Sequence, residues 1–347
     1  MHMADALLAP AAAAVMYAAS GTAAGVSMHR LKKDDEAQKL PTMAVTSALV
    51  FAGQMINYTI PGTGSSGHIC GGMLLSALLG APAGFLSMTV ILAIQCLFFA
   101  DGGLLALGAN VWNMAFYGCF AGYYLIWRPI MRSRMFSGRD ARVKIILASV
   151  LGCVLTLQLG AFSVVLETTR SGIAELPFGA FAALMQPIHL AIGLVEGAVT
   201  AAVLVFVYRS RPELLRDVEP DGVNSGKRSL KSTLLILAVV AAVVGGGLSL
   251  VASANPDGLE WALFGNEEAG YAANMGLDEE DFGVSSGAAN AAGAIQETTS
   301  LLPDYAFAGN DSAAGTTVSG LVGSAMVALA AVLISLAGGF FRKRKKG

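Results

Sequence analysis

Nine stretches of the chain are apolar and nearly free of charge over lengths that suit a membrane-spanning helix. About 20 such residues cross the hydrocarbon core of a bilayer, and a helix satisfies its own backbone hydrogen bonds in lipid. Because no alternating pattern of barrel strands is present, we predict an all-α polytopic membrane protein. The nine predicted spans are residues 7–28, 41–59, 69–83, 84–100, 108–127, 144–166, 180–207, 232–252 and 318–341.

Composition and two short spans refine this prediction. Only 13% of the 347 residues are charged and 55% are hydrophobic, whereas ordinary globular proteins carry about 25% charged residues. A soluble enzyme is therefore excluded, and so is a disordered chain, which needs low hydrophobicity.

The third and fourth spans are short and meet at residues 80–84, Gly-Ala-Pro-Ala-Gly, so we expect one of them to be tilted or re-entrant.

Basic residues lie almost entirely on one side of the predicted spans. Of the 22 Lys and Arg, 21 fall in the segments before span two, between spans five and six, between spans seven and eight, and after span nine. Only Arg170 falls on the other side. The positive-inside rule then places the N-terminus outside and the C-terminus in the cytoplasm of a multi-pass protein of the cell (inner) membrane.

The chain divides into two membrane units joined by a polar linker. Residues 1–212 form a seven-helix bundle with short loops, residues 213–231 form the cytoplasmic linker, and residues 232–347 contain two spans around an outer segment, 253–317. This outer segment has eleven Asp and Glu and no Lys or Arg, so we expect a flexible acidic arm. Its charge either raises the local cation concentration or only solvates the segment.

The first residues offer an unusual set of nitrogen ligands. The Met1 amine, the His2 backbone amide and the His2 imidazole can bind one metal through adjacent five- and six-membered rings, and His68 can fill the fourth position. Four planar nitrogens suit Ni(II) or Cu(II), with Co(II) as a further candidate. We expect Met1 to be retained, because the opening lacks the positive region of a signal peptide. Affinity is expected to fall in acid, since the ligands must lose protons.

Other interpretations of these residues remain open. A histidine beside a glycine-rich turn, as His68 is, often only hydrogen-bonds its own loop. Asp5 and Ser66 are expected to hydrogen-bond and orient the metal-binding residues without binding the metal themselves. An aspartate at this position suits the N-terminus of a first helix equally well. Cys70 is favoured as a small packed residue over a soft ligand.

Four separate motifs carry a resemblance to a known family. Residues 1–8, Met-His-Met-Ala-Asp-Ala-Leu-Leu, resemble the Met-His-x-x-Asp-Gly-Phe-Leu opening of the CbiM/NikM proteins, except that alanine replaces the glycine after the aspartate. Residues 64–72 resemble the family motif Gly-Thr-Ser-Gly-His-x-x-Gly-Gly, and residues 187–197 its His-x-x-Ile-Gly-x-x-Glu-Gly helix. Residues 256–260, Pro-Asp-Gly-Leu-Glu, match the PDGLE motif of the NikN-like accessory unit.

The resemblance implies a function. CbiM/NikM proteins are the nickel- and cobalt-capture (S) components of energy-coupling factor (ECF) transporters, which are importers of the ABC type. It implies Met1, His2 and His68 as metal ligands, Ni²⁺ or Co²⁺ as cargo, and no prosthetic group. Nickel is preferred over cobalt, and the use of the metal, such as cobalamin biosynthesis for cobalt, is not readable from the sequence.

The implied partners are a CbiQ/NikQ-like transmembrane scaffold and CbiO/NikO-like ATP-binding subunits, with no nucleic acid. No Walker A motif is present, so we predict a transport subunit that is not itself an enzyme. In the resembling family, small residues on the first helix contact the scaffold, which implies that role for Ala14, Ala18, Ala19 and Ala23. Generic helix packing is the alternative.

Two further features bear on function. His189 and Glu196 lie seven residues apart on one helix face, and we interpret them as a buried hydrogen-bonded pair in preference to a metal relay. A different class of function is a rhomboid-like intramembrane serine protease, with Ser66 as nucleophile and His189 as base. We disfavour it, because Ser66 precedes a span, in a loop where water is plentiful.

Overall fold

The computed structural model describes residues 1–33, 40–133, 140–172, 176–218, 228–270, 277, 282–307 and 313–343. Eleven helices are assigned in these residues: α1 Pro10–Lys33, α2 Leu40–Gln54, α3 Gly72–Leu79, α4 Ala81–Phe99, α5 (continuous through Leu107–Asn110, π-helical Val111–Trp127 and Arg128–Arg132), α6 Ala141–Arg170, α7 Phe178–Ser210, α8 Leu230–Gly246, α9 Gly258–Phe264, α10 Gly287–Thr299 and α11 Ala313–Lys343. Short 3₁₀ turns lie at Asp5–Leu7, Pro212–Leu214, Leu248–Val251 and Pro303–Tyr305.

The helical class is confirmed. Six described helices are long and apolar enough to cross a membrane: Pro10–Leu31, Ala81–Phe99, Ala141–Arg170, Phe178–Ser210, Leu230–Val251 and Ala314–Ile334. Helix α2, Leu40–Gln54, is a shorter apolar helix. Local signals begin several of these helices, because the Asp140 carboxylate accepts from the amide of Arg142 and the Ser229 hydroxyl from that of Ser232. Such side chains satisfy amides that the first turn leaves unpaired.

The third predicted span, 69–83, is corrected. Helix α3 has eight residues, so it is about 12 Å long, far less than the roughly 30 Å of a hydrocarbon core. Gly71, at φ 84°, sets its start, and Gly80, at φ 85°, ends it. The non-helical segment before it is buried in protein over Ser65–Gly67, which is the setting in which a membrane protein tolerates irregular backbone.

A small antiparallel hairpin is a second departure from the all-α prediction. Strands β1 Tyr58–Ile60 and β2 Ser65–Gly67 pair with Tyr58 opposite Gly67 and Ile60 opposite Ser65. A parallel bridge joins Ser66 to Asp257, far along the chain. The hairpin therefore connects the predicted metal loop to the PDGLE motif.

The carboxyl-terminal unit packs against the bundle. Helices α8 and α11 contact α2 and each other. At one crossing Gly245 and Gly320 are so close that a Cβ on Gly320 would lie 2.0 Å from the Gly245 carbonyl oxygen. A Cβ on Gly323 would likewise lie 2.1 Å from the ring of Phe51. Close glycine contacts are typical of helix packing in membranes.

The prediction of a flexible acidic arm at residues 253–317 is wrong for much of the described part of that segment. Leu259, Trp261, Ala262 and Leu263 of α9 are buried, and Gln296 of α10 donates to the carbonyls of Cys96 and Gly102. Apolar residues between the acidic ones explain this docking, because they bury against the bundle. Residues 271–276, 278–281 and 308–312 of this segment, like residues 219–227 of the predicted linker, lie outside the described residues.

Basic residues from separate segments meet at one end of the bundle. Arg30 and Arg216 line a cavity of about 310 Å³ together with Gly80, the junction of α3 and α4. Nearby, Asp217 forms ion pairs with Arg128 and Arg132. Segments predicted to share the cytoplasmic side therefore share one face of the structure.

Candidate metal centre

The N-terminal residues are drawn into the bundle. Met1, Met3, Leu7 and Leu8 are buried, and this apolar burial favours an inserted terminus. The Asn110 side chain fixes the entering backbone, because its Oδ1 accepts from the Met3 amide (2.7 Å) and its Nδ2 donates to the Met3 carbonyl (3.2 Å). Met1 and His2 are consequently held among the helices.

The two outer histidines come together. The His2 and His68 rings are stacked with their centroids 5.4 Å apart and an interplanar angle of 21°. His68 Nδ1 lies 3.0 Å from the Ile69 carbonyl oxygen, so Nδ1 carries the hydrogen and Nε2 has a free lone pair. The structure thus brings together the three residues predicted to bind metal: Met1, His2 and His68.

Asp101 takes the role that was predicted for Asp5. Asp101 Oδ1 lies 3.1 Å from His2 Nδ1, whereas Asp5 Oδ1 accepts a hydrogen bond from the Ala106 amide at 3.0 Å. Asp5 therefore fixes the loop after α4 and makes no hydrogen bond to an imidazole in the part of the chain described. The carboxylate that orients His2 is Asp101, at the C-terminal end of α4, which sequence reasoning missed.

A second carboxylate from the carboxyl-terminal unit reaches the terminal amine. Asp257 Oδ2 lies 2.7 Å from the Met1 nitrogen. Its Oδ1 accepts from the amides of Leu259 (2.7 Å) and Glu260 (2.9 Å), while the Glu260 side chain accepts from the Asp257 amide. This capping box at the start of α9 fixes the carboxylate while it pairs with the amine.

The charges of the site follow from burial and these two carboxylates. Burial lowers the pKa of His2 against the opposing effect of Asp101, and burial together with the terminal amine lowers that of His68 to about 4. Burial acts to lower the pKa of the Met1 amine, but the pairing with Asp257, together with the charges of Asp101 and Glu260, raises that pKa overall. Burial would raise the pKa of Asp257, yet the amine lowers it. Both imidazoles are thus neutral and available as ligands near pH 7.

His189 and Glu196 do not form the predicted pair. His189 Nδ1 lies 2.8 Å from the Met185 carbonyl oxygen, one turn earlier in α7. The buried Glu196 carboxylate instead accepts from the amides of Cys70 (2.7 Å) and Gly71 (2.8 Å). Glu196 therefore fixes the loop that carries His68. The error has a physical reason: the loop enters the bundle and offers two amides that the helix pattern alone cannot reveal.

Ser66 is engaged with the PDGLE segment. Its hydroxyl donates to the Asn255 carbonyl (2.8 Å), and its amide donates to the Pro256 carbonyl (2.8 Å). Neither His2 nor His68 is among its hydrogen-bond partners, and no Ser66–His189 bond occurs within the described chain. This arrangement speaks against a serine nucleophile activated by His189, which needs that contact.

A cavity of about 10 Å³ lies where these groups meet, with Met1, His68, Cys70, His189 and Asp257 in its wall. That volume is about enough for one water molecule or one small ion. In the residues that the structure describes, no three His, Cys, Asp or Glu side chains converge as a metal cluster.

The small residues of α1 have two environments. Ala14 and Ala18 are exposed, whereas Ala19 and Ala23 are partly buried. Added Cβ atoms on Gly21 and Gly25 would meet nothing within 4 Å. The exposed small face therefore extends along Ala14, Ala18, Gly21 and Gly25, which differs from the predicted set.

These features define an integral multi-pass membrane protein with a nitrogen-rich centre inside its bundle. Residues 2–214 match the CbiM family, described as the cobalt uptake substrate-specific transmembrane region, and residues 231–338 match the PDGLE domain. The chain belongs to the CbiM family and carries a PDGLE domain, as its motifs predicted. It is thus a member of a nickel and cobalt transport protein family.

Individual relatives agree with this assignment. A protein of Archaeoglobus fulgidus, assigned as a fused nickel transport protein NikMN, is 36% identical over 94% of this chain and 95% of its own. The fused nickel transport protein NikMN of Rhodobacter capsulatus is 33% identical over the same shares. A crystal structure of a truncated transition metal transporter aligns with a TM-score of 0.52 and 32% identity, over 60% of this chain and 98% of that one.

Proposed function

We propose that the chain is the metal-capture subunit of an energy-coupling factor importer for Ni²⁺ or Co²⁺. The metal is held by the Met1 amine, the His2 amide nitrogen, His2 Nδ1 and His68 Nε2. The observation that carries this proposal is that the His2 ring stacks on that of His68, while His68 and Met1 line one small cavity. Amine and amide close a five-membered ring, and amide and Nδ1 close a six-membered one.

Nickel is the preferred cargo, and cobalt is the alternative. Four nitrogens in one plane, one of them a deprotonated amide, suit Ni(II), while Zn²⁺ prefers a tetrahedral set. Two relatives named as fused nickel transport proteins match 94% of this chain. The cobalt transport protein CbiM of Sorangium cellulosum matches only 62% of it. Competition between the two ions for the purified protein tests the preference.

The proposed orientation places the metal centre at the outer face and the arginine-rich end in the cytoplasm. Passage of the metal inward is driven by ATP hydrolysis in partner subunits. The exposed Ala14 and Ala18 of α1 are the proposed contact with the transmembrane scaffold. Substitution of both by leucine is expected to prevent co-purification with the scaffold while nickel binding stays intact.

The decisive experiment moves the amine without removing a side chain. One glycine added before Met1 shifts His2 to position three, so a second backbone amide enters the chelate and takes the position proposed for His68. The nickel affinity and the Ni(II) absorption spectrum are therefore both expected to change. The control carries the same glycine after Gly347, and N-terminal sequencing establishes that both chains begin as designed. Equal affinity and spectrum in the two chains would contradict the proposed ligands.

A further inference from the structure

The two ring nitrogens of His2 have unlike surroundings. Nδ1 faces the Asp101 carboxylate at 3.1 Å, and Nε2 is buried without a hydrogen-bond partner. A carboxylate only accepts, so the neutral ring carries its hydrogen on Nδ1 and a bare lone pair on Nε2.

This tautomer is the opposite of the one that the proposed chelate requires. The six-membered ring runs from the metal through the amide nitrogen, Cα, Cβ and Cγ to Nδ1, so Nδ1 must supply a lone pair. The hydrogen of a neutral ring must then reside on Nε2. A metal-bound histidine usually donates that second N–H to an acceptor, which fixes the ring. Inside the bundle this N–H needs an acceptor from the protein.

Gln95 of α4 supplies such an acceptor. Its side chain lies against the His2 ring, it is 1% exposed, and its carboxamide oxygen is buried without a partner. Its Nε2 donates to Gln54 Oε1 at 2.8 Å, and Gln54 Nε2 donates to the Cys70 carbonyl at 2.7 Å. This sequence of bonds fixes which end of each amide is oxygen, and it leaves the Gln95 oxygen for His2.

We propose that Gln95 is a positioning residue of the metal centre, whose oxygen accepts a hydrogen bond from His2 Nε2 when metal occupies Nδ1. The inference rests on the proposed function. When metal binds, the proton leaves Nδ1 and Nε2 gains one, so the ring stays neutral. The two unpartnered atoms of the metal-free site, His2 Nε2 and the Gln95 oxygen, then form one hydrogen bond. Asp101 is not left unpaired, because the Tyr305 hydroxyl donates to its Oδ2 at 2.5 Å.

The tautomer can be read directly in the unaltered protein. Planar Ni(II) is diamagnetic, so ¹⁵N NMR of histidine-labelled protein reports both states, and a His2→Ala variant assigns the resonances. We expect protonated Nδ1 in the metal-free protein and protonated Nε2 after nickel binding. A metal-free His2 already protonated at Nε2, or a loaded one with no Nε2 proton, would overturn the inference.

A variant tests the energetic role. Gln95→Met keeps the side-chain length but removes the acceptor, and loss of an outer partner of a metal ligand typically costs about 10–100-fold in affinity. We expect that loss for nickel. The control is Gln158→Met, whose amide donates to the Gln186 carbonyl on α7, and it should bind nickel as the wild type does.

The outcomes separate this inference from the proposed function. Failure of wild-type protein to bind nickel, or indifference to the added N-terminal glycine, overturns the proposed ligands. Nickel binding through His2 with wild-type affinity in Gln95→Met overturns only the role of Gln95. If Gln95→Met does not fold, the NMR measurement on wild-type protein still decides.

Discussion

The amino-terminal bundle and the carboxyl-terminal unit make different contributions to the candidate metal centre. The bundle brings together Met1, His2 and His68, whose nitrogens are the proposed donors. Residues 232–347 contain no His or Cys, and they supply a negative charge, Asp257, to the amine. The proposed donors therefore lie in one unit, and the carboxylate that pairs with the amine lies in the other.

Charge balance explains why such a division is useful. Without metal, the ammonium of Met1 carries one positive charge and Asp257 one negative charge. In the proposed chelate, Ni²⁺ with one deprotonated amide also carries one net positive charge, which Asp257 again balances. A buried charge is costly unless it is paired. Asp257 can therefore balance the charge of both the metal-free and the metal-bound state.

The largest effect is expected from removing a donor of the bundle. His68→Ala deletes one of the four proposed ligands, so nickel affinity should fall by at least about 100-fold, more than for loss of an outer partner. Isothermal titration with purified protein measures it. His29→Ala is the matched control, because His29 is exposed on α1. Equal nickel affinities in the two variants would contradict the proposal that His68 is a ligand.

The next effect is expected from neutralising the charge of the carboxyl-terminal unit. Asp257→Asn keeps the shape and the capping oxygen but leaves the chelate without its counterion, so nickel affinity should fall by about 10–100-fold. The control is Glu268→Gln, an exposed acid of the same segment, expected to change affinity less than about twofold because exposed charges are screened beyond roughly 8 Å. A similar loss in both would show that the segment acts through its overall charge.

The sequence could predict which residues the structure brings together at the candidate centre but not their hydrogen-bond partners, for physical reasons. Hydropathy identifies the long helices, and the opening residues identify a nitrogen-rich terminus, because both are local patterns. The Met1–Asp257 pair joins residues 256 positions apart, and a helix-capping role already accounts for an aspartate at that position. Asp101 and Gln95 stand in an apolar context with no periodic signal. The shortness of α3 depends on Gly71 and Gly80 conformations that hydropathy does not register.

A smaller effect is expected from the buried carboxylate of the bundle. Glu196 accepts two amide hydrogen bonds, so Glu196→Gln places an NH₂ group against one amide and leaves a donor unpaired, at about 1–3 kcal/mol. We expect about a tenfold loss of nickel affinity and a lower unfolding temperature. In Glu167→Gln, whose partner is the Asn113 amide, the affinity should be unchanged. A Glu196 variant that binds normally would show that the loop holds His68 unaided.

The smallest effect is expected where the two units meet. Ser66→Ala removes a hydroxyl that donates to the Asn255 carbonyl, and one such bond contributes about 1 kcal/mol, which corresponds to roughly fivefold in nickel affinity if the PDGLE segment must dock for Asp257 to act. Ser65→Ala, whose hydroxyl donates only to the neighbouring Ser66 carbonyl, is the control and should bind like the wild type. Complete loss of function in Ser66→Ala alone, with nickel binding intact, would instead support a nucleophilic serine. The Ser66→Ala change can also be made in the Asp257→Asn variant. If it lowers nickel affinity by the same factor there as in the wild type, docking and charge act independently. If it lowers nickel affinity less in the Asp257→Asn background, Ser66 acts through Asp257.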